Sequence, residues 1–481
     1  METRTWEVTL ITPLHIGDGV ELQKNLDYLP SREGLRVIDP EDVLARLADN
    51  PAAVREIGNT GFDLARMERE KQDLPAPRYI LPFQGNRPPD SLRRFLKNGY
   101  GAAYLAGSTL KGAVRTALWT SLDRRRLPPV GRFRDFQRGV KSVDGTDPNH
   151  DFLRPLSVGD SAAVAPSGVL RASEIKFFNL QRDERPGWKD FSTRRTRNRF
   201  EEAAGVFVEA VVPTTKFHLQ VRLDRTLTSG PVAAGLKLPH CDGLNGFVEM
   251  ARQINRHSRA IAEAERVFFS RFGPATAAVR SFYEDLLTGF DSLDGSDGRF
   301  IVRMAWGSGW RGMTGDWLSE EDLATVRRET RLGKAGVPIF PKTRRLAMDN
   351  GTPCQPLGWA VVAPVAERLF LRSPTASTPS DEPVEPPPSE KKEAAKPSEP
   401  EPSAPTSTTT ETEVWENVML TWSPGDQVVT AVGPENNKAT GKGKALIPET
   451  IQDRLFKKKK AKAAKVVVSV LGNALIIEAI E

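Results

Sequence analysis

Cysteine is nearly absent: Cys241 and Cys354 are the only two in 481 residues. That scarcity excludes a disulfide framework and a cysteine-based zinc site, and it fits a reducing, cytoplasmic setting. Histidine is almost as scarce, with five in all. His150, His218, His240 and His257 are scattered without ligand spacing, so neither a metal nor a cofactor is expected. Long hydrophobic runs are missing as well. No stretch approaches a membrane span, and Met1 to Trp6 carry no apolar signal core, so a soluble protein with no membrane partner is expected.

What is present begins with length and charge. At 481 residues the chain exceeds one ordinary core, and two or three domains follow. Charged residues make up 27% and hydrophobic ones 39%, a normal globular balance. The net charge is +6 and the isoelectric point about 9.2, an excess that favours a polyanion such as nucleic acid as a partner.

The stretch from Tyr104 to Leu118 packs a glycine turn, a helix start and two cations together. Gly107 frees the backbone to turn, Ser108 is placed to cap a helix, and Val114, Ala117, Leu118 and Leu122 recur at helical spacing. Lys111 and Arg115 lie four apart near the helix N-terminus, where free N–H groups and the helix dipole favour a phosphate. The Walker pattern is excluded, because Lys111 is followed by Gly112 rather than Ser or Thr. The plainer alternative is an ordinary capped helix with solvated cations.

Along the rest of the chain, alternation predicts strands over Thr5–Leu10, 35–38, 168–180, 206–212 and 216–223, the last two as a pair around a turn at Pro213. Asp39 with Pro40 reads as a capped helix start, and roughly Leu244 to Phe272 as a long amphipathic helix marked by Phe247, Met250, Ala251, Ile254, Ser258, Ile261 and Phe268. Further strands are expected near 299–306 and 358–364. Arg194, Arg195, Arg197 and Arg199 sit in a run with no apolar residue, so the run cannot be core. Single helices alternating with strand sets suggest two α+β units like split βαβ folds. Ten prolines between Pro374 and Pro405 mark a linker that cannot bury enough apolar surface to order itself. Beyond it, short β-like runs predict a small basic barrel with Lys442, Lys444 and Lys457 to Lys460, an auxiliary RNA or DNA contact.

As an ordered set, the runs Thr12–Gly19, Leu105–Arg115 and Gly205–Phe217 resemble the signatures of the RAMP superfamily of CRISPR-associated RNA-binding proteins. Phe152–Asp160, Gly307–Trp310, Pro341–Arg345 and Leu357–Trp359 are similar to later motifs of the Csm-type subunit that caps the crRNA 3′ end in type III-A effector complexes. The resemblance covers about residues 1–370. It implies an α+β chain with two ferredoxin-like, RNA-recognition-type domains (1–200 and 201–370), followed here by a linker (371–413) and a small basic β-rich domain (414–481) that lies outside the usual pattern.

It further implies a non-enzymatic subunit for crRNA binding and assembly, with crRNA, neighbouring RAMP backbone subunits and target RNA as partners, supporting crRNA maturation and antiviral defence. The RNA-binding residues expected on this basis are His15, Gly17, Gly107, Ser108, Lys111, Arg115, Arg194, Arg195, Arg197, Trp310, Arg311, Lys342, Arg344 and Arg345, with no catalytic residue. Trp310 and Arg311 could stack on a base or pack on a partner subunit. The alternative is a metal-independent endoribonuclease of the same superfamily with His15 as its acid or base.

Overall fold

The computed structural model describes residues 1–120, 148–312, 318–330 and 339–365, apart from 49, 86, 182–183, 229, 239 and 294, together with the strands and some connections of 412–480. The basic run Arg124–Arg126, the proline-rich segment, Lys444 and Lys457 to Lys459 lie outside the described residues. The chain is a mixed α+β protein with several sheets, and it divides into two compact units, Met1–Arg372 and Ser373–Glu481.

The first unit is built around the alternation of its opening strand. Over Glu2–Leu10, Trp6, Val8 and Leu10 point into the core, and Trp6 packs edge-on against Phe247 at 5.6 Å and Phe300 at 5.2 Å. This strand is the centre of a five-stranded sheet in the order Phe300–Arg303, Trp359–Pro364, Glu2–Leu10, Lys216–Leu223, Leu156–Val158, every neighbour antiparallel. The helices Gly107–Trp119 and Phe247–Ser270 pack together beside it. In the longer helix the expected inward positions Phe247, Met250, Ala251, Ile254, Ser258, Ile261 and Phe268 are all buried.

A second sheet runs Thr196–Arg197, Pro186–Lys189, Leu170–Leu180, Val206–Val211, Ser91–Phe95, Gly17–Gln23, with Thr343–Asp349 also paired to Leu170–Leu180. Here the structure corrects the expected hairpin. Val206–Val211 pairs with Leu170–Leu180 in this sheet, whereas Lys216–Leu223 pairs with Glu2–Leu10 in the other. The turn between them, with Thr214 at φ 68°, carries the chain from one sheet to the next instead of folding it back. Strands from both sides of residue 200 thus share each sheet.

The helix cap is a second correction. Gly107 is the first residue of its helix, Ala106 is the N-cap and makes no side-chain cap bond, and Ser108 is exposed one position inside. Asp160 takes the capping role from elsewhere in the chain, its Oδ1 accepting from the Gly107 N–H at 2.8 Å. A Cβ at Gly107 would lie 2.3 Å from the Val158 carbonyl oxygen, so the helix start is pressed against that strand. Asp39 does cap its helix, Pro40–Leu47, accepting from the Glu41 N–H.

The second unit is a closed five-stranded barrel: Thr412–Ser423, Val428–Val432, Lys438–Lys442, Ala474–Ile480, Lys460–Leu471 and back to the first. Trp415, Leu420, Trp422, Val429, Val466 and Ile477 fill its core.

Candidate nucleic-acid interface

The seam between the two sheets of the first unit is made by one short run. Leaving the first sheet at Leu10, the chain exchanges Leu14–Val211 backbone bonds of 3.1 and 2.8 Å and enters the second sheet at Gly17. Three contacts pin this run to distant loops. The Trp359 N–H donates to Thr12 Oγ1 at 2.9 Å, the Gly358 N–H to the Pro13 carbonyl at 3.0 Å, and the Trp306 N–H to the His15 carbonyl at 3.2 Å. Gly358 has φ 85°, and a Cβ there would stand 2.0 Å from the Met304 oxygen, so only glycine fits.

His15 is 1% exposed. Its Nδ1–H donates to the Glu209 carbonyl oxygen at 2.7 Å, which fixes the tautomer and leaves Nε2 as an acceptor. Burial lowers its pKa from 6.5 to about 4, so the ring is neutral at physiological pH. A Cβ on Gly17 would stand 3.2 Å from Nε2; glycine keeps that side of the ring clear.

Below the histidine, the fully buried Glu209 carboxylate accepts from the Tyr79 hydroxyl and the Phe95 N–H, both at 2.7 Å, and pairs with Lys97. Sequence reasoning missed Glu209 as a site residue. Its signal was an acid within the apolar run Val206–Val211, a position that demands buried partners.

Beside this seam lies a cleft of about 610 Å³, lined by His15, Gly17, Arg93, Arg94, Thr109 and Trp306 among others. The Trp306 ring meets His15 at 5.5 Å and carries two guanidiniums, Arg345 at 4.8 Å and Arg93 at 5.5 Å. From Trp306 the aromatic contacts continue to Phe177 at 6.3 Å and from there to Phe191 at 4.4 Å. Arg345 also stands over Phe177, and Lys189 over Phe191. Phe191 is 37% exposed, so the stripe reaches the surface beside the arginine-rich loop.

The charge balance of the cluster is lopsided. The Arg345 guanidinium has no hydrogen bond or ion pair among the described residues, and its Nε is buried without an acceptor. Burial, with Arg303 and Arg93 adding to it, pushes its pKa down. Arg303 is 6% exposed, and its side chain donates to the carbonyls of Leu357 and Gly307. Arg93 has one loose carboxylate neighbour, Glu21 at 3.8 Å. A phosphate is the chemistry that would relieve this repulsion, since it accepts from several guanidinium donors at once.

The structure brings His15, Gly17 and Arg345 to this cluster and places the other expected residues elsewhere. Lys111 Nζ donates to the Leu156 carbonyl at 2.5 Å, and Arg115 forms a two-pronged pair with Asp151 at 2.9 and 2.6 Å. Gly107 and Ser108 only flank Thr109 at the cleft wall. Arg344 is buried against Glu265 at 2.6 Å and over the Phe268 ring, and Lys342 reaches the Leu180 carbonyl at 3.3 Å. Trp310 packs on Phe340 at 5.3 Å, next to half-buried Arg311. Arg197 bonds to Asp190 at 3.1 Å, while Arg194 and Arg195 are exposed at the loop tip. Arg93 and Trp306 complete the cluster and are new to the site.

Residues 7–232 match the RAMP superfamily model. That span is a RAMP superfamily region. The matched span holds the seam, the cleft residues His15, Gly17 and Arg93, and the capped helix. Among solved structures, the chain aligns over 76% of its length with the whole of a chain from the cryo-EM structure of a Csm-crRNA-target RNA ternary complex of a type III-A CRISPR-Cas system, at 22% identity and a TM-score of 0.52. The crystal structure of T. onnurineus Csm5 aligns over 74% of this chain and all of its own length, at 20% identity and a TM-score of 0.47. No curated protein matches the chain. Among the described residues, no helix is long and apolar enough to cross a membrane, and no group of three or more His, Cys, Asp or Glu could hold a metal ion.

Proposed function

We propose that this protein is a non-catalytic crRNA-binding and assembly subunit of a type III-A (Csm) effector complex. It sits at the crRNA 3′-end side of the backbone filament, touches a neighbouring RAMP subunit there, and supports crRNA maturation and antiviral defence. The carrying observation is the stacked cluster of Arg93, Arg345 and Trp306 beside neutral His15: cations with a single loose carboxylate, Glu21, among them to meet phosphates, and rings to meet bases.

The five-stranded sheet supports the fold side of this reading. Glu2–Leu10 and Leu156–Val158 run parallel with Lys216–Leu223 between them, Gly107–Trp119 connects the first pair, and Phe247–Ser270 leads on toward Trp359–Pro364. That is the β-α-β-β-α-β order of a ferredoxin-like core with Phe300–Arg303 added at the edge.

Binding is favoured over cleavage by His15 because its ring is 1% exposed and its pKa of about 4 leaves little protonated acid at neutral pH. The test is to isolate the effector complex from cells carrying the wild type or the Arg93→Ala/Arg345→Met variant. Loss of crRNA 3′-end protection in the variant is expected. Cleavage of repeat RNA in EDTA that vanishes in His15→Ala would overturn the assignment.

A further inference from the structure

The His15 ring is held from three directions. Its Nδ1–H is tied to the Glu209 carbonyl oxygen at 2.7 Å, Phe95 stands edge-on at 6.3 Å, and Trp306 stands edge-on at 5.5 Å. Beneath it, Glu209 is fixed in turn by Tyr79, the Phe95 N–H and Lys97. The direction left over is that of Nε2. This atom has no hydrogen bond among the described residues and is not one of the polar atoms sealed from solvent; the residue lines the cleft of about 610 Å³. Gly17 keeps the approach open, since a Cβ there would stand 3.2 Å from Nε2 and 3.9 Å from Cε1.

A neutral imidazole whose other nitrogen is the donor can only accept at this one. With the residue 1% exposed, an acceptor so far withdrawn from water is costly to leave unpaired, so the position suits a donor. The neighbours decide which donor. On the proposed function, Arg93 and Arg345 over Trp306 hold phosphates beside the ring. Phosphate oxygens accept and have nothing to give Nε2. Base edges donate, but from atoms that differ with the base. The sugar joining two phosphates carries a donor that every ribonucleotide has and no deoxyribonucleotide has, the 2′-hydroxyl. That hydroxyl also accepts, and Thr109, half-buried, lines the same cleft with a side-chain hydroxyl that makes no hydrogen bond among the described residues.

We propose that His15 Nε2 accepts from a ribose 2′-hydroxyl lodged in this cleft, so that the site selects RNA over DNA through the sugar and tolerates any base. His15 does this only if the arginines hold the phosphates, as proposed, since those contacts bring the sugar to the ring. It is then a specificity-determining residue: with Nδ1–H committed to Glu209, Nε2 offers a lone pair and no proton.

The test measures the affinity of the full-length protein for fluorescent 20-mers of oligouridylate, oligodeoxyuridylate and 2′-O-methyl oligouridylate. The methyl ether keeps the oxygen and removes the donated proton. Wild type is expected to bind the ribose strand about tenfold more tightly than either of the others, the effect of one polar group left unpaired in a buried site. In His15→Asn, which can keep the donor to Glu209 and lacks Nε2, that ratio should vanish. Gly17→Ala, which crowds Nε2 without changing the ring, should lower it as well. A ratio taken within one variant is unaffected by partial loss of folded protein. Equal affinity for the three strands in wild type, a ratio that survives His15→Asn, or a preference that follows the base across oligoadenylate and oligocytidylate overturns the sugar contact and leaves the arginine reading standing. Cleavage of the ribose strand that stops in His15→Asn overturns it too, by making His15 a base. Binding indifferent to Arg93→Ala/Arg345→Met overturns the arginine reading instead, and if wild type binds none of the strands both fall.

Discussion

Two adjacent arginines show how little residue type alone decides. Arg344 and Arg345 follow one another on the same strand and therefore face opposite ways. Arg344 meets the buried carboxylate of Glu265, whose side chain is 4% exposed, whereas Arg345 meets only rings and other cations. Arg344→Met should strand a buried charge and destabilise the protein by about 3 kcal/mol, measurable by urea unfolding. Arg345→Met should leave stability unchanged or raise it, because it removes an unsatisfied cation.

His15 adds a pH signature at the same scale. Its folded pKa, about 4, lies below the unfolded value near 6.5. Its contribution is therefore complete above pH 6.5 and is lost as pH falls toward 4, by up to about 3 kcal/mol. His15→Asn, which can keep the donor to the Glu209 carbonyl, should flatten the fall in unfolding midpoint between pH 6.5 and 4. An equally steep fall in that variant would assign the acid sensitivity to other groups.

At the scale of elements, the helix after Ala106 owes its start to Asp160 rather than to Ser108. Asp160→Ala should cost about 1 kcal/mol, and Ser108→Ala should stay within about 0.5 kcal/mol, as for any exposed helical position. At the seam, Gly358→Ala should lower stability by about 2–3 kcal/mol through strain at positive φ, as thermal unfolding would record.

The difference between what was and was not legible has one physical source. The inward positions of Phe247–Ser270, the alternation of Lys216–Leu223 and the Asp39 cap all rest on contacts within a few residues, so periodicity reveals them. The cap from Asp160, the sheet change at Thr214 and the Arg93–Trp306 stack join residues roughly 50 to 200 positions apart or depend on which sheet a strand enters. Local patterns carry no information about those partners. For the same reason Lys111 and Arg115, cations well spaced for an anion, turn out to be engaged by Leu156 and Asp151.

At the scale of the whole molecule, the net charge of +6 understates how the cations are arranged. In the first unit they gather where carboxylates are few, over Trp306 and Phe177. The RAMP match lies within the first unit, and the barrel lies outside it.

The central claim is that the guanidiniums over Trp306, Arg345 above all, receive RNA phosphates. Its most direct measurement is the equilibrium affinity of the full chain for a crRNA-length single strand across a salt series, comparing wild type with Arg345→Met. The expected result is a loss of about tenfold or more, in line with one charge-assisted contact, together with a shallower salt slope and an unfolding free energy no lower than wild type. Equal affinity and an unchanged slope in a stably folded Arg345→Met protein would contradict it.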